Sequence, residues 1–269
     1  MSKRALLIGI NYRGTSSELA GCIADVYAME RALRSTYGYS RVEMMTDDTA
    51  LKPTRANIEA ALARLVAGAA PGDTLFLHYS GHGTLVKDVS GDEESGQDSA
   101  IVPVDYARAG VILDDALRTL VAAKLPARAR LFALLDCCHS GTAFDMRYQY
   151  TDVSSPAAAV VVAPTTPYLP SQWELKQQTR ELKAYPRTAS DVVMLSGCRD
   201  DQTSADSFED SAPCGALTWA FLRTLRETPR PKWKHLLKDV SARLKLKGYE
   251  QRPQLSCGLA LAGDTVAWW

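Results

Sequence analysis

The sequence predicts an α/β protein: a mostly parallel, six-stranded sheet flanked by helices on both faces. Short, largely apolar runs at residues 5–10, 42–45, 74–79, 131–135 and 192–195 have the length of strands, and most have the make-up of strands buried on both sides. Segments with apolar residues at helical spacing separate most of them, as the crossovers of a parallel sheet require. The chain has 269 residues, 46% of them hydrophobic, which is ample for one buried core.

In chain order, residues 5–10 end in Gly9-Ile10-Asn11, a strand running into a turn. Ile23, Val26, Met29, Leu33 and Tyr37 then recur at helical spacing, and Gly38 closes that helix. After the strand at 42–45, Pro53 and Thr54 open a second helix with Ile58, Leu62, Leu65 and Val66 on one face. Pro71-Gly72-Asp73 turns the chain into the strand at 74–79. Residues 81–98 read as a loop, with Gly83, Gly91 and Gly96, and with five acids and no base from Asp88 to Asp98. A short extended piece at 100–104 and a helix at 113–125 precede the apolar strand at 131–135, which runs into Asp136-Cys137-Cys138-His139. Five prolines and much Ala, Ser and Thr make 148–187 a linker between a first region, 1–147, and a second, 188–269, of a single domain. The second region holds a strand at 192–195, helices at 215–227 and 233–246, and a last edge strand within 253–261.

Lys plus Arg and Asp plus Glu both number 31, so no basic excess marks the chain as a nucleic-acid binder. The longest uncharged apolar run, 157–163, has seven residues where a membrane span needs about 20. The apolar run at 5–10 is too short for an export signal, so a soluble, cytoplasmic protein with no membrane partner is expected. The six cysteines are then expected to be reduced, and no Cys-x-x-Cys pair offers a zinc site. Residues 223–252 carry ten bases and three acids, read as the solvated outer face of two helices. Trp268-Trp269 reads equally as an anchor or as a packed strand end.

In open parallel sheets the site lies outside the carboxyl ends of the strands. Two such ends carry reactive residues: 74–79 leads into Ser80-Gly81-His82-Gly83, and 131–135 into Asp136-Cys137-Cys138. Neighbouring parallel strands lie about 4.8 Å apart, so side chains at adjacent ends can meet. A cysteine nucleophile needs a partner that takes its proton, and His82 is placed to do so for Cys138. The flanking glycines would let a carbonyl approach the backbone. Spacing alone equally allows His82 to cap a loop and Cys138 to be a small buried hydrophobe.

His78-Tyr79-Ser80-Gly81-His82-Gly83 and Asp136-Cys137-Cys138-His139-Ser140-Gly141 resemble the two catalytic blocks of the metacaspases, in the caspase-like clan of cysteine peptidases. Five more stretches resemble type I metacaspase blocks in the family's order: Gly21-Cys22-Ile23-Ala24-Asp25, Val102-Pro103-Val104-Asp105, residues 141–145, residues 196–206 and Arg252-Pro253-Gln254-Leu255. The resemblance implies a caspase-like sandwich, with Cys138 as nucleophile, His82 as general base and Cys137 as a less reactive neighbour. It places Asp25, Ser80 and Asp136, with Cys22 nearby, around the first specificity pocket. Carboxylates there would take an Arg or Lys side chain, so cleavage of protein or peptide substrates after Arg or Lys is expected.

The resemblance also assigns Asp98, Asp114, Asp115 and Asp145 to calcium, as an activator outside the chemical step, although a solvated acidic loop and a helix N-terminus explain acids there too. The run from Asp88 to Asp98 lacks the EF-hand spacing. Self-cleavage of a zymogen after Arg147, Lys176, Arg180, Lys183 or Arg187 would suit an enzyme that cuts after bases. His78 and His82 are four apart, but on a strand and loop that spacing does not face one metal. The family implies a monomer and a part in programmed cell death. A non-catalytic caspase-fold scaffold in protein aggregation control or signalling is the alternative. The Pro-rich or zinc-finger region that type I members usually carry before the core has no counterpart ahead of the strand at 5–10.

Overall fold

The structure, a computed structural model, describes residues 1–88, 96–137, 144–152, 177–181, 187–197, 206–209 and 212–269, with backbone alone for 152, 177–181, 206–209 and 212. In order the elements are β1 (Lys3–Gly9), α1 (Cys22–Ser35), β2 (Arg41–Thr46), α2 (Arg55–Val66), β3 (Thr74–Ser80), β4 (Gly83–Lys87), β5 (Gln97–Ile101), α3 (Tyr106–Ala109), β6 (Ile112–Leu113), α4 (Asp114–Leu120), β7 (Arg130–Asp136), β8 (Tyr148–Asp152), β9 (Gln177–Glu181), β10 (Asp191–Ser196), β11 (Asp206–Glu209), β12 (Ala212–Gly215), α5 (Ala216–Glu227), α6 (Trp233–Leu246) and β13 (Gln254–Cys257). The main sheet has the order β2-β1-β3-β7-β10-β13-β8-β9. The first five strands are parallel and the last three pair antiparallel. It is the mostly parallel α/β arrangement that the apolar runs predict.

Alternation along the strands sorts the core into two layers. Leu75, Leu77 and Tyr79 of β3 and Leu131, Ala133 and Leu135 of β7 pack with Ile58, Leu62 and Leu65 of α2 and Leu117 of α4. The intervening Phe76, Phe132 and Leu134 pack with Val26 and Met29 of α1, Phe221 of α5 and Leu236 of α6. Thr54 starts α2 by accepting the Asn57 amide, the capping that its position predicts. Trp269 is buried with its ring 4.8 Å from that of Phe132, so the chain end packs into the core.

Three expectations change. All six anticipated strands form, but β8 and β9 extend the sheet to eight. Both lie in the stretch read as linker, whose prolines masked the β-forming run Tyr148-Gln149-Tyr150-Thr151. The strand within 253–261 is therefore internal rather than an edge, because β8 pairs along its free side. Residues 81–98 are not simply a loop: β4 and β5 form an antiparallel hairpin, with β6 as a third strand. Glycines and acids dominated that reading, while Thr84-Leu85-Val86 supplies the strand.

His78 is fully buried in the α1/α5 layer, where its Nε2 lies 3.1 Å from Thr218 Oγ1 and its Nδ1 has no hydrogen-bond partner. Burial pushes its imidazole down to about 3 from an ordinary 6.5. The unfolded chain thus binds one proton more between those two values, and the native state weakens as pH falls through that window. Urea unfolding measured at successive pH values is expected to show His78→Gln losing less stability than the parent below about pH 6.5, by up to about 1.4 kcal/mol per pH unit. Parallel curves for the two proteins would refute this.

Candidate active site

The register of β3 and β7 pairs Ser80 with Asp136, and the Gly81 amide donates to the Asp136 carbonyl at 3.3 Å. The two strands thus end side by side, at the carboxyl edge of the sheet where strand-end chemistry was expected. His82 follows one of these ends. Cys137 follows the other and is buried. Cys138, the next residue, lies outside the described residues, as do His139 and 140–143.

His82 is held from three directions. Its Nε2 lies 2.7 Å from the Ser17 carbonyl oxygen. A carbonyl only accepts, so Nε2 carries the proton and a neutral ring keeps its Nδ1 lone pair for a base's work. The Tyr12 ring lies against the imidazole, with centroids 4.7 Å apart and a 37° tilt. The His82 amide donates to Tyr12 Oη at 3.0 Å. The loop supplying these contacts is itself tied down: Thr15 donates its hydroxyl and its amide to the Tyr12 carbonyl, and the Gly14 amide donates to Glu18.

Beside His82, on the α1/α5 side, Asp25, Ser80 and Asp136 come together, each no more than 5% exposed. The Ser80 hydroxyl and the Gly215 amide donate to Asp25 Oδ2 at 2.7 and 2.9 Å. The Thr218 amide donates to Asp136 Oδ2 at 2.7 Å. A Cβ at Gly215 would overlap Asp136 Oδ2 and stand 2.7 Å from Asp25 Oδ2, so the two carboxylates flank one point. Cys22 is buried one helical turn before Asp25, on the same face of α1. The start of α1 abuts β12, where a Cβ on Gly21 would run into the Cys214 backbone. This buried acidic cluster is therefore assembled from both halves of the chain.

The four further acids are arranged differently. Asp98, Asp114 and Asp145 are buried, and Asp145 takes a left-handed φ of +45°. Asp114 accepts the Ser99 and Asp115 amides at 2.7 and 3.0 Å. Arg118 bridges Asp145 at 3.2 Å and Asp115 at 3.5 Å. Among the described residues no group of three or more His, Cys, Asp or Glu is set to hold a metal ion. As placed, the Arg118 guanidinium is the cation between Asp115 and Asp145. His78 and His82 likewise turn to different partners, Thr218 and Ser17.

Of the basic residues proposed for self-cleavage, Arg187 is exposed and donates to Tyr148 Oη at 2.9 Å. Arg147 is half-buried, and Arg180 lies in β9 opposite Gln149. Lys176 and Lys183 lie outside the described residues. Sequence reasoning missed Tyr12, Tyr79, the Ser17 carbonyl, Gly215 and Thr218. A backbone carbonyl or amide carries no side-chain signature, Tyr79 within an apolar run reads as core, and Tyr12 between Asn11 and Arg13 reads as part of a turn.

The family model for the metacaspase, peptidase C14 domain matches residues 3–147. Metacaspase-1B of Neosartorya fischeri is 42% identical across 95% of this chain and 69% of its own length. Metacaspase-1 of Kluyveromyces lactis is 40% identical across 95% of this chain and 66% of its own. Among solved structures, protein GSU0716 from Geobacter sulfurreducens superposes with a TM-score of 0.64 at 23% identity, covering 96% of this chain and 93% of that one. Caspase-1 from Spodoptera frugiperda superposes at 0.58 with 12% identity, covering 96% and 87%. At such identities the two structures speak for the fold alone.

Proposed function

The chain belongs to the metacaspase family of cysteine peptidases, and from that premise we propose that it cleaves peptide chains after Arg or Lys with a Cys138–His82 dyad. The observation that carries the specificity is the pair of buried carboxylates, Asp25 and Asp136, converging on Gly215. Two adjacent carboxylates suit a guanidinium, which offers paired N–H donors, and repel an acidic side chain. The Ser80 hydroxyl and the Gly215 and Thr218 amides orient the carboxylates.

In the proposed reaction His82 Nδ1 takes the thiol proton of Cys138, and the thiolate adds to the scissile carbonyl carbon. The imidazolium then gives its proton to the leaving amine. Water, deprotonated by the same nitrogen, releases the acyl group and restores the thiol. The Ser17 carbonyl keeps Nε2 protonated throughout and stabilises the imidazolium.

Calcium is proposed as an activator only, and its binding by Asp98, Asp114, Asp115 and Asp145 would require Arg118 to give up its two carboxylates. A monomer is proposed because β8 pairs along β13, covering the side that a six-stranded sheet would leave open. Among the described residues no helix is long and apolar enough to cross a membrane.

The test is hydrolysis of matched fluorogenic peptides ending in Arg and in Asp, with and without millimolar calcium, against a Cys138→Ala blank. Cleavage of the Arg peptide alone, absent from the blank, is expected. Preference for Asp would overturn the pocket, and rates unchanged by calcium or chelator would overturn the activator.

A further inference from the structure

We propose that Tyr12 and Tyr79 are positioning residues for His82, their two hydroxyls clamping its peptide unit to that of Val102. The proposal rests on the reading of His82 as the base. Four backbone groups meet the two hydroxyls. The His82 amide donates to Tyr12 Oη at 3.0 Å, and Tyr12 Oη donates to the Val102 carbonyl at 2.6 Å. The Val102 amide donates to Tyr79 Oη at 3.2 Å, and Tyr79 Oη donates to the His82 carbonyl at 2.7 Å. Each hydroxyl has one proton, and these are its shortest acceptors, so the pattern closes into a ring with every group satisfied. The hydroxyls themselves touch at 3.1 Å.

The ring stands where regular pairing runs out. The β4–β5 ladder ends at Gly83 opposite Ile101. One residue further on, the Val102 amide keeps a 3.2 Å bond to the His82 carbonyl, and the tyrosines make the remaining links. Three further features fit a clamp. Tyr12 holds a φ of +51°, a left-handed conformation that non-glycine residues rarely adopt without a constraint. Gly81 is required by the same pair, since a Cβ there would lie 2.8 Å from Tyr79 Oη and 3.0 Å from Tyr12 Oη. Both rings are buried to within 1% of full burial, and burial raises both phenols above their ordinary range, so the two remain donors at any working pH. Tyr12 also presents its ring face to the imidazole, fixing peptide and ring of His82 together.

A base displaced by about 1 Å can lose about a hundredfold in rate while the carboxylates of the proposed specificity pocket still bind. The test uses Tyr12→Phe and Tyr79→Phe, which keep the rings and remove the hydroxyls. His82→Ala serves as reference, and Tyr39→Phe as control, since the Tyr39 hydroxyl is buried without a partner on the other face of the sheet. Three quantities are read well below each variant's melting temperature: kcat and KM on the Arg peptide, and the iodoacetamide alkylation rate of Cys138 from peptide mass spectrometry.

Tyr12→Phe is expected to lower kcat by about 10–100-fold with KM within about twofold. It is expected to slow alkylation at about pH 6 but not at about pH 9.5, where a thiol ionises unaided. Tyr39→Phe should change neither. A merely structural role would lower the melting temperature and leave the pH dependence of alkylation in place. Unchanged rates in both tyrosine variants, with alkylation slowed in His82→Ala, would overturn the clamp and leave the base standing. Alkylation unaffected by His82→Ala would remove the base and the clamp together. Should Tyr12→Phe not fold, Tyr79→Phe decides alone, because it leaves the His82 amide paired.

Discussion

His82→Ala is expected to lower kcat/KM on an Arg peptide by about 10²–10⁴-fold, the span that a positioned general base supplies. Its imidazole packs against Tyr12 at the edge of the core and is only partly buried, so the fold should survive its removal. What is lost is the lone pair on Nδ1, kept available by the Nε2 bond to Ser17. KM should change little, since Asp25 and Asp136 are untouched. The measurement is steady-state kinetics beside a melting curve, with Cys138→Ala as the floor. A variant within about threefold of the parent would remove His82 from the chemical step.

The second large effect lies in the pocket. Asp136→Asn and Asp25→Asn are each expected to cost about 10²–10³-fold in kcat/KM for an Arg peptide, since truncating one partner of a buried charged pair is worth about 2–5 kcal/mol. Gly215→Ala should match them without altering any charge. Its φ of −73° and ψ of 134° suit alanine, so backbone strain is not the cause. The added methyl would overlap Asp136 Oδ2 and crowd Asp25 Oδ2, displacing the two carboxylates that are proposed to hold the substrate's guanidinium. Gly215 caps α5 without a side-chain bond, and a Gly-to-Ala change at such a cap costs well under a typical cap's roughly 1 kcal/mol. Lost Arg cleavage, with a lower melting temperature from the displaced carboxylates, is therefore the expected pairing. Retained Arg cleavage in Gly215→Ala would place the basic side chain elsewhere.

Much of this molecule was legible in the residues. Apolar runs such as 131–135 determined the parallel strands, because a strand buried on both faces needs hydrophobic side chains at every position. The helices at 23–37 and 233–246 announced themselves by spacing, since only one stripe of a helix meets the sheet. Ser80-Gly81-His82-Gly83 and Asp136-Cys137-Cys138 marked the two reactive strand ends, and the β3–β7 register brings those ends together.

Tertiary structure decided the rest. Whether Asp25 is a surface acid or a buried one depends on α1 meeting β12, 190 residues on from Asp25 to Gly215, a contact that no local pattern encodes. The β8–β9 hairpin forms where β13 offers a row of unpaired backbone groups, so a stretch with linker composition still yields strands at its ends. Arg118 meets Asp115 one helical turn away within α4, but it reaches Asp145 only because α4 packs beside residue 145. Tyr79 looks like a core aromatic in the sequence and Tyr12 like part of a turn, and the rings of both are core. Their hydroxyls, buried where water cannot reach, had to find partners, and the ones they found are the peptide groups of His82 and Val102.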